Sequence, residues 1–319
     1  MANEIVNTQI RNVAIVGTGL IGASWAAQYL ARGLDVIATD PAPDAEANLR
    51  KGVDEAWKLL TVIGLAPGAR CDRLTFTADL KEAVSKADFV QENVPERLML
   101  KARVFAQMDA AAPPHAILAS SASGITMDAI QSNCKSPERC VIGHPFNPPH
   151  VIPLVEVVGG AKTSETVIER AMAFYASIGK KPIRLRKALP GHVGNRLQAA
   201  LYREILYLIQ QGVVSVEDAD IAVSYGPGLR WGVMGPSLQW HLGGGPGGIQ
   251  HFVQTFMDGF VGQMRKLEMP EVTPALMQTV IDGVMKEANG QSVEQLAEAE
   301  NKVVLELLLL RAKAASTLP

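Results

Sequence analysis

Along the chain, the first strong signal is Arg11-Asn12-Val13-Ala14-Ile15-Val16, whose apolar end lacks polar alternation and predicts a buried strand. It runs into Gly17-Thr18-Gly19-Leu20-Ile21-Gly22, after which Ala23, Trp25, Ala26, Ala27, Tyr29 and Leu30 predict an apolar helix ending at Gly33. A second strand, Asp35-Val36-Ile37-Ala38-Thr39, closes on Asp40. The alternation continues with a helix over 44–60, a shorter turn after Pro67, a strand at 74–77, a helix at 80–86 and a strand at 88–90. A helix after Pro95 and a strand at 117–119 follow, then a β-branched run ahead of His144 and the strand Leu154–Val158. Thr163-Ser164-Glu165-Thr166 reads as the capped start of a helix through Ile178, and 182–185 is the last expected strand. Beyond it the period changes. Val193, Leu197, Leu201, Ile205, Leu208 and Ile209 form a helical stripe, Ser215-Val216-Glu217-Asp218 reads as a capping box, and Leu- and Met-rich helices continue to the terminus. The expected fold is α/β: a Rossmann-type doubly wound sheet over 1–188, followed by an all-helical domain over 189–319.

Composition narrows this. A length of 319 residues is long for one core and comfortable for two. A net charge of −2 points to neither nucleic acid nor an anionic membrane as partner. The run 303–310 is interrupted by Glu306 and too short to span a bilayer, and the N-terminal MANEIVNTQIRN has no apolar core of a signal peptide. Cys71, Cys134 and Cys140 are an odd count without metal-ligand spacing, so no metal is expected and reduced thiols in a cytoplasm are. The apolar surface of the helical half predicts a homodimer.

The glycine turn carries the first chemistry. Gly17 permits a tight turn, Gly19 lets a pyrophosphate approach the backbone, and Gly22 lets the helix close on the strand. Asp40 lies near the roughly 20-residue spacing of an acid that binds ribose hydroxyls, and its charge favours NAD over NADP. Gly17, Gly19, Leu20, Ile21, Gly22 and Asp40 are therefore the expected cofactor contacts. The second chemistry is Glu156, a lone acid in an apolar strand, which demands a partner. His144, twelve residues earlier in a Pro-rich segment, is the natural one, either as a general base oriented by the acid or as a structural pair. Asn93, Glu96 and Lys101 border the nicotinamide end or simply open a solvated helix, and Ser123 is either a donor to a substrate oxygen or a helix cap. Asn195 is expected to face the first domain's cleft or to bond at its own helix start.

Together these residues resemble the 3-hydroxyacyl-CoA dehydrogenase family, in GTGLIG at 17–22, the Glu96/Lys101 spacing, the serine turn at 120–123, HPFNP at 144–148, LVEV at 154–157 and PGHVGNR at 190–196. The resemblance implies His144 as general base, Glu156 as its partner, Ser123 and Asn195 as contacts to the substrate oxygen, and Asn147, Glu96 and Lys101 beside NAD. His192 departs from the family's usual Phe. Within the family, the segment 228–236, Gly243–Gly248 and His251-Phe252 are similar to the carnitine dehydrogenase branch, with the λ-crystallin and gulonate dehydrogenase branch as the near competitor. That likeness implies NAD-dependent oxidation of the 3-hydroxyl of a small 3-hydroxy acid bearing a quaternary ammonium. Such a cation offers no N–H, so aromatic faces or carboxylates must hold it. Tyr225, Trp231, Trp240, Phe252 and Phe256 are clustered in a chain with 5% aromatics, and Arg196 or Arg230 is left to answer the carboxylate.

Overall fold

The computed structural model describes residues 10–314, so the stretch 1–9, read above as lacking a leader, lies outside the described residues. The described residues fold as two compact units that divide between Gly194 and Asn195. In the first, β1 (Asn12–Val16) enters α1 (Leu20–Ala31), which returns to β2 (Asp35–Thr39); α2 (Ala45–Ile63) leads to β3 (Leu74–Phe76), and α3 (Leu80–Val84) to β4 (Phe89–Glu92). Then come α4 (Leu98–Ala111), β5 (Ile117–Ser120), α5 (Met127–Ile130), β6 (Cys140–Pro145), β7 (Leu154–Gly159), α6 (Glu165–Ser177) and β8 (Lys181–Arg184).

These strands form one sheet in the order β3-β2-β1-β4-β5-β6-β7-β8. It is parallel as far as β6; β7 is antiparallel to β6, and β8 runs parallel to β7. Successive side chains of a strand face opposite sides, so the apolar run of β1 feeds both. Val13 and Ile15 pack under α1, α2 and α6 with Trp25, Leu30, Leu49 and Phe174, while Ala14 and Val16 join Val84, Phe105 and Met108 on the other face. Each large side chain so buried stabilises the unit by about 1.5–3 kcal/mol. Strand order reverses between β1 and β4, and in such sheets ligands bind in the crevice outside the carboxyl ends at that point. The glycine turn stands there. Gly17 has φ +90°, and a Cβ on it would lie 2.8 Å from the Asn93 carbonyl carbon, so only glycine fits.

The second unit is helical: α7 (Gly194–Gln210, whose first residue belongs to the first unit), α8 (Val216–Ser224), α9 (Pro227–Trp231), α10 (Pro236–Gly243), α11 (Gly248–Met264), α12 (Pro274–Ala288) and α13 (Val293–Lys313). Ser215, Thr273 and Ser292 cap α8, α12 and α13 by accepting backbone N–H bonds. Its buried cluster is small, Leu206, Ile209, Val216 and Leu276. Among the described residues no helix is long and apolar enough to cross a membrane.

Candidate active site

The β6–β7 hairpin sets His144 directly opposite Glu156. Its connection, residues 146–153, is tied down at two points. The Ser24 hydroxyl and His150 bond reciprocally, Oγ to Nδ1 at 2.8 Å and the His150 N–H to Oγ at 2.9 Å, while the buried Lys180 ammonium donates to the carbonyls of Pro149 and Ile152. Within the hairpin, His144 Nδ1 lies 2.8 Å from Glu156 Oε2. The acid's other oxygen accepts the backbone N–H groups of Val193 and Gly194 at 2.8 and 2.9 Å. With Oε1 held by two donors and Oε2 facing the ring, Nδ1 carries the proton and Nε2 keeps its lone pair. Burial pushes the His144 imidazole below the usual histidine range; the Glu156 hydrogen bond opposes this, the His192 ring adds to it, and Glu156 and Glu96 charges act against it. The ring is therefore neutral at neutral pH, as a general base must be.

Around it the serine turn is organised by Glu92 at the end of β4 and by Asn93 and Glu96 just after it. The Ser120 hydroxyl donates to Glu92 and the Ser121 hydroxyl to Asn93 Oδ1, while the N–H groups of Ser123, Gly124 and Ile125 converge on Glu96 Oε1 at 2.9–3.2 Å. Of these serines, Ser123 alone keeps a hydroxyl without a protein partner among the described residues. Lys101, expected beside NAD, is instead 1% exposed. Its ammonium is spent on Glu92 Oε1 and Oε2 (2.9 and 3.2 Å), the Val94 carbonyl (3.0 Å) and Glu96 (3.4 Å), because α4 turns that face inward to neutralise the fully buried Glu92. Glu96, although exposed, also holds the serine turn.

The glycine turn fits a dinucleotide. Gly19 caps α1 without a side-chain bond, leaving the first helical N–H groups free, and a Cβ there would meet nothing within 4 Å, so the space is open to a phosphate. Gly22 cannot carry one, since its Cβ would strike the Gly17 carbonyl. Leu20 is exposed and Ile21 half-buried at the helix start. Asp40 accepts the N–H groups of Thr18 (2.8 Å) and Ala42 (2.9 Å), which pins the turn to the end of β2 while each oxygen retains a lone pair. Asn147 is exposed, with no side-chain hydrogen bond within the described residues.

In the second unit Asn195 and Arg196 open α7, and Tyr225, Arg230 and Trp231 lie at the end of α8 and in α9, exposed. The expected aromatic cluster is divided. Trp240 stacks on Phe252 (4.9 Å), and Phe256 and Phe260 complete the group; Tyr225 and Trp231 have no ring contact in it. Phe252, 6% exposed, packs between α10 and α11 in this group: positions 252, 256 and 260 recur every four residues on one helical face.

Two residues carry more of the site than the sequence signalled. His192 adopts φ +48°, lies buried with its ring 5.0 Å from that of His144, and its Nε2 donates to the Ala122 carbonyl of the serine turn. Gln91, buried inside β4, bonds to both the serine turn and the strand of His144.

A neutral imidazole, held by an acid on the sheet that also carries an uncapped glycine turn, meets the needs of a nicotinamide-dependent alcohol dehydrogenase, and the fold and site assign the chain to that class. Residues 12–188 match the family "3-hydroxyacyl-CoA dehydrogenase, NAD binding domain", and residues 191–295 match "3-hydroxyacyl-CoA dehydrogenase, C-terminal domain". The chain belongs to the 3-hydroxyacyl-CoA dehydrogenase family. It is 46% identical over 299 residues to an L-carnitine dehydrogenase of Streptomyces griseus, covering 94% of this chain and 89% of that protein. To an L-carnitine dehydrogenase of Bacillus cereus it is 43% identical over 311 residues, covering 98% and 95%. Among solved structures, an NAD+-dependent dismutase, 5-formyl-3-hydroxy-2-methylpyridine-4-carboxylic acid 5-dehydrogenase, is similar with a TM-score of 0.77 and 34% identity, covering 95% of this chain and 97% of that one.

Proposed function

We propose that this dehydrogenase oxidises the 3-hydroxyl of L-carnitine to 3-dehydrocarnitine with NAD. The observation that carries the chemistry is the 2.8 Å contact between His144 Nδ1 and Glu156, which leaves Nε2 as a base; near full-length likeness to L-carnitine dehydrogenases supports the alcohol. In this reading Nε2 of His144 takes the hydroxyl proton, and Glu156 stabilises the imidazolium that results. The Ser123 hydroxyl and the Asn195 amide hold the oxygen as charge develops on it. Bound NAD supplies the acceptor for the hydride leaving carbon 3. Gly17, Gly19, Leu20, Ile21 and Gly22 would present backbone to its phosphates, Asp40 would bind the adenosine ribose, and Asn147 would contact the nicotinamide end. Arg196 or Arg230 pairs with the substrate carboxylate, and Tyr225 and Trp231 face its ammonium.

The domain from 189 onward then serves substrate binding and dimerisation. Exposed Leu229, Leu242, Val253, Phe256 and Met264 support a homodimer, since monomers seldom leave so much apolar surface bare. Light scattering at twice the 34.2 kDa chain mass checks it. Free Cys71, Cys134 and Cys140 suit a cytoplasmic location.

Rates of NADH formation on L-carnitine, L-gulonate and 3-hydroxybutyryl-CoA, measured side by side, test the substrate. Carnitine is expected to give the highest kcat/KM. A higher value on either competitor overturns the substrate, and NAD binding without turnover of any of the three identifies a non-catalytic protein of the λ-crystallin kind.

A further inference from the structure

A glutamine in the middle of a fully buried strand has to satisfy four hydrogen-bonding sites at its amide or pay for the omission. Gln91 fills all four. Its Oε1 accepts the hydroxyls of Tyr175 (2.6 Å) and Tyr29 (3.2 Å), and its Nε2 donates to Ser121 Oγ (2.9 Å) and to the Gly143 carbonyl (3.3 Å). The amide cannot be reversed, because a carbonyl oxygen would then face the Gly143 carbonyl. Ser121 passes the bond on to Asn93 Oδ1 (2.7 Å), and Asn93 Nδ2 returns it to the Gln91 carbonyl (2.9 Å). Three segments meet in this one group. Asn93 stands against Gly17 of the glycine turn, Ser121 lies two residues from Ser123, and Gly143 precedes His144. Gly143 is itself shaped to the network, since a Cβ there would collide with the Tyr175 hydroxyl.

We infer that Gln91 is a positioning residue: its amide fixes His144 relative to the serine turn and the glycine turn, so that base, substrate oxygen and dinucleotide stay in register. This rests on the reading of His144 as the base, but not on which alcohol is oxidised. Tyr29 and Tyr175 remain protonated donors throughout the working pH range, burial holding both phenols above their ordinary value. A displacement of about 1 Å at a reacting group costs on the order of 100-fold in rate.

The test uses the full-length enzyme carrying Gln91→Met, with Tyr175→Phe as a milder variant that keeps the aromatic packing. Histidine side-chain NMR, with the His144 signal assigned through His144→Asn, is read beside turnover and NAD affinity. For Gln91→Met we expect a displaced His144 signal and turnover lower by about 10- to 100-fold, with NAD affinity within about twofold of the parent. Tyr175→Phe should show the same pattern at a few-fold, and it decides the matter if Gln91→Met does not fold. An unmoved His144 signal in folded variants overturns the inference. If the parent enzyme leaves carnitine untouched while the His144 signal still moves in the variants, the substrate reading fails and the positioning role stands.

Discussion

Two carboxylates of the same sheet, Glu92 on β4 and Glu156 on β7, are both 0% exposed, yet they do opposite things. Glu92 is enclosed by Lys101, Ser120 and the Val94 N–H. Burial raises its pKa, with the Lys101 charge opposing, and every partner it has is an interior donor. Glu156 meets two backbone N–H groups and one imidazole, and that imidazole still has a nitrogen to offer. Burial alone therefore does not mark a functional acid; what the partner has left over does. The contrast is tested first at His144. His144→Ala should lower turnover by roughly 10⁴-fold, the upper end for a general base, with NAD affinity measured by fluorescence nearly intact. A rate close to the parent's would make Glu156 as structural as Glu92.

On the other side, Lys101→Met leaves Glu92 buried without its counter-charge, which should cost about 3–5 kcal/mol of stability in chemical denaturation. Folded protein kept cold should retain most of its turnover, because the Lys101 ammonium is enclosed by Glu92, Glu96 and the Val94 carbonyl. The sign with pH is fixed by the raised pKa of Glu92. An acid whose folded pKa exceeds its unfolded one costs stability when ionised, so the defect is full at neutral pH and shrinks as pH falls toward the ordinary carboxylate range near about 4. Replacing Glu92 by Leu in the same chain should recover much of the loss. A stable, inactive Lys101→Met would return that lysine to the cofactor.

The same contrast explains what could be read from the sequence. Glu156 was legible because a lone acid in Leu-Val-Glu-Val-Val has no local partner, and the Pro-rich connection left His144 as the residue able to reach it. The glycine turn and Asp40 were legible because their spacing is fixed by backbone geometry rather than by packing. Lys101 was legible only in part: it shares one helical face with the buried Phe105 and Met108, four and seven residues on, but nothing marked Glu92 as the acid that holds it there. Gln91 drew no role of its own from the sequence because its partners lie 30, 52, 62 and 84 residues away. The aromatic cluster was overread: proximity in sequence put Tyr225 and Trp231 with Phe252, whereas the helical four-residue repeat joined Phe252 to Phe256 and Phe260.

The smallest of these effects is also the most discriminating. Glu156→Gln keeps shape and burial but removes one acceptor. If the amide oxygen stays under the Val193 and Gly194 N–H groups, the NH2 faces His144 and forces Nδ1 to accept, which moves the ring proton onto Nε2 and blocks the base. If the amide flips, its NH2 confronts two backbone donors. Either way turnover should fall by roughly 10²-fold. The pH profile separates orientation from mere support. Burial already holds the His144 pKa low, and Glu156 is the main group that raises it, with a smaller contribution from Glu96. Activity is lost as pH falls through that pKa, so in Glu156→Gln the acidic limb of kcat/KM should move to lower pH while its plateau drops. A lowered plateau with an unmoved limb would mean that the acid only props the hairpin, and Glu156 would then join Glu92 as a structural carboxylate.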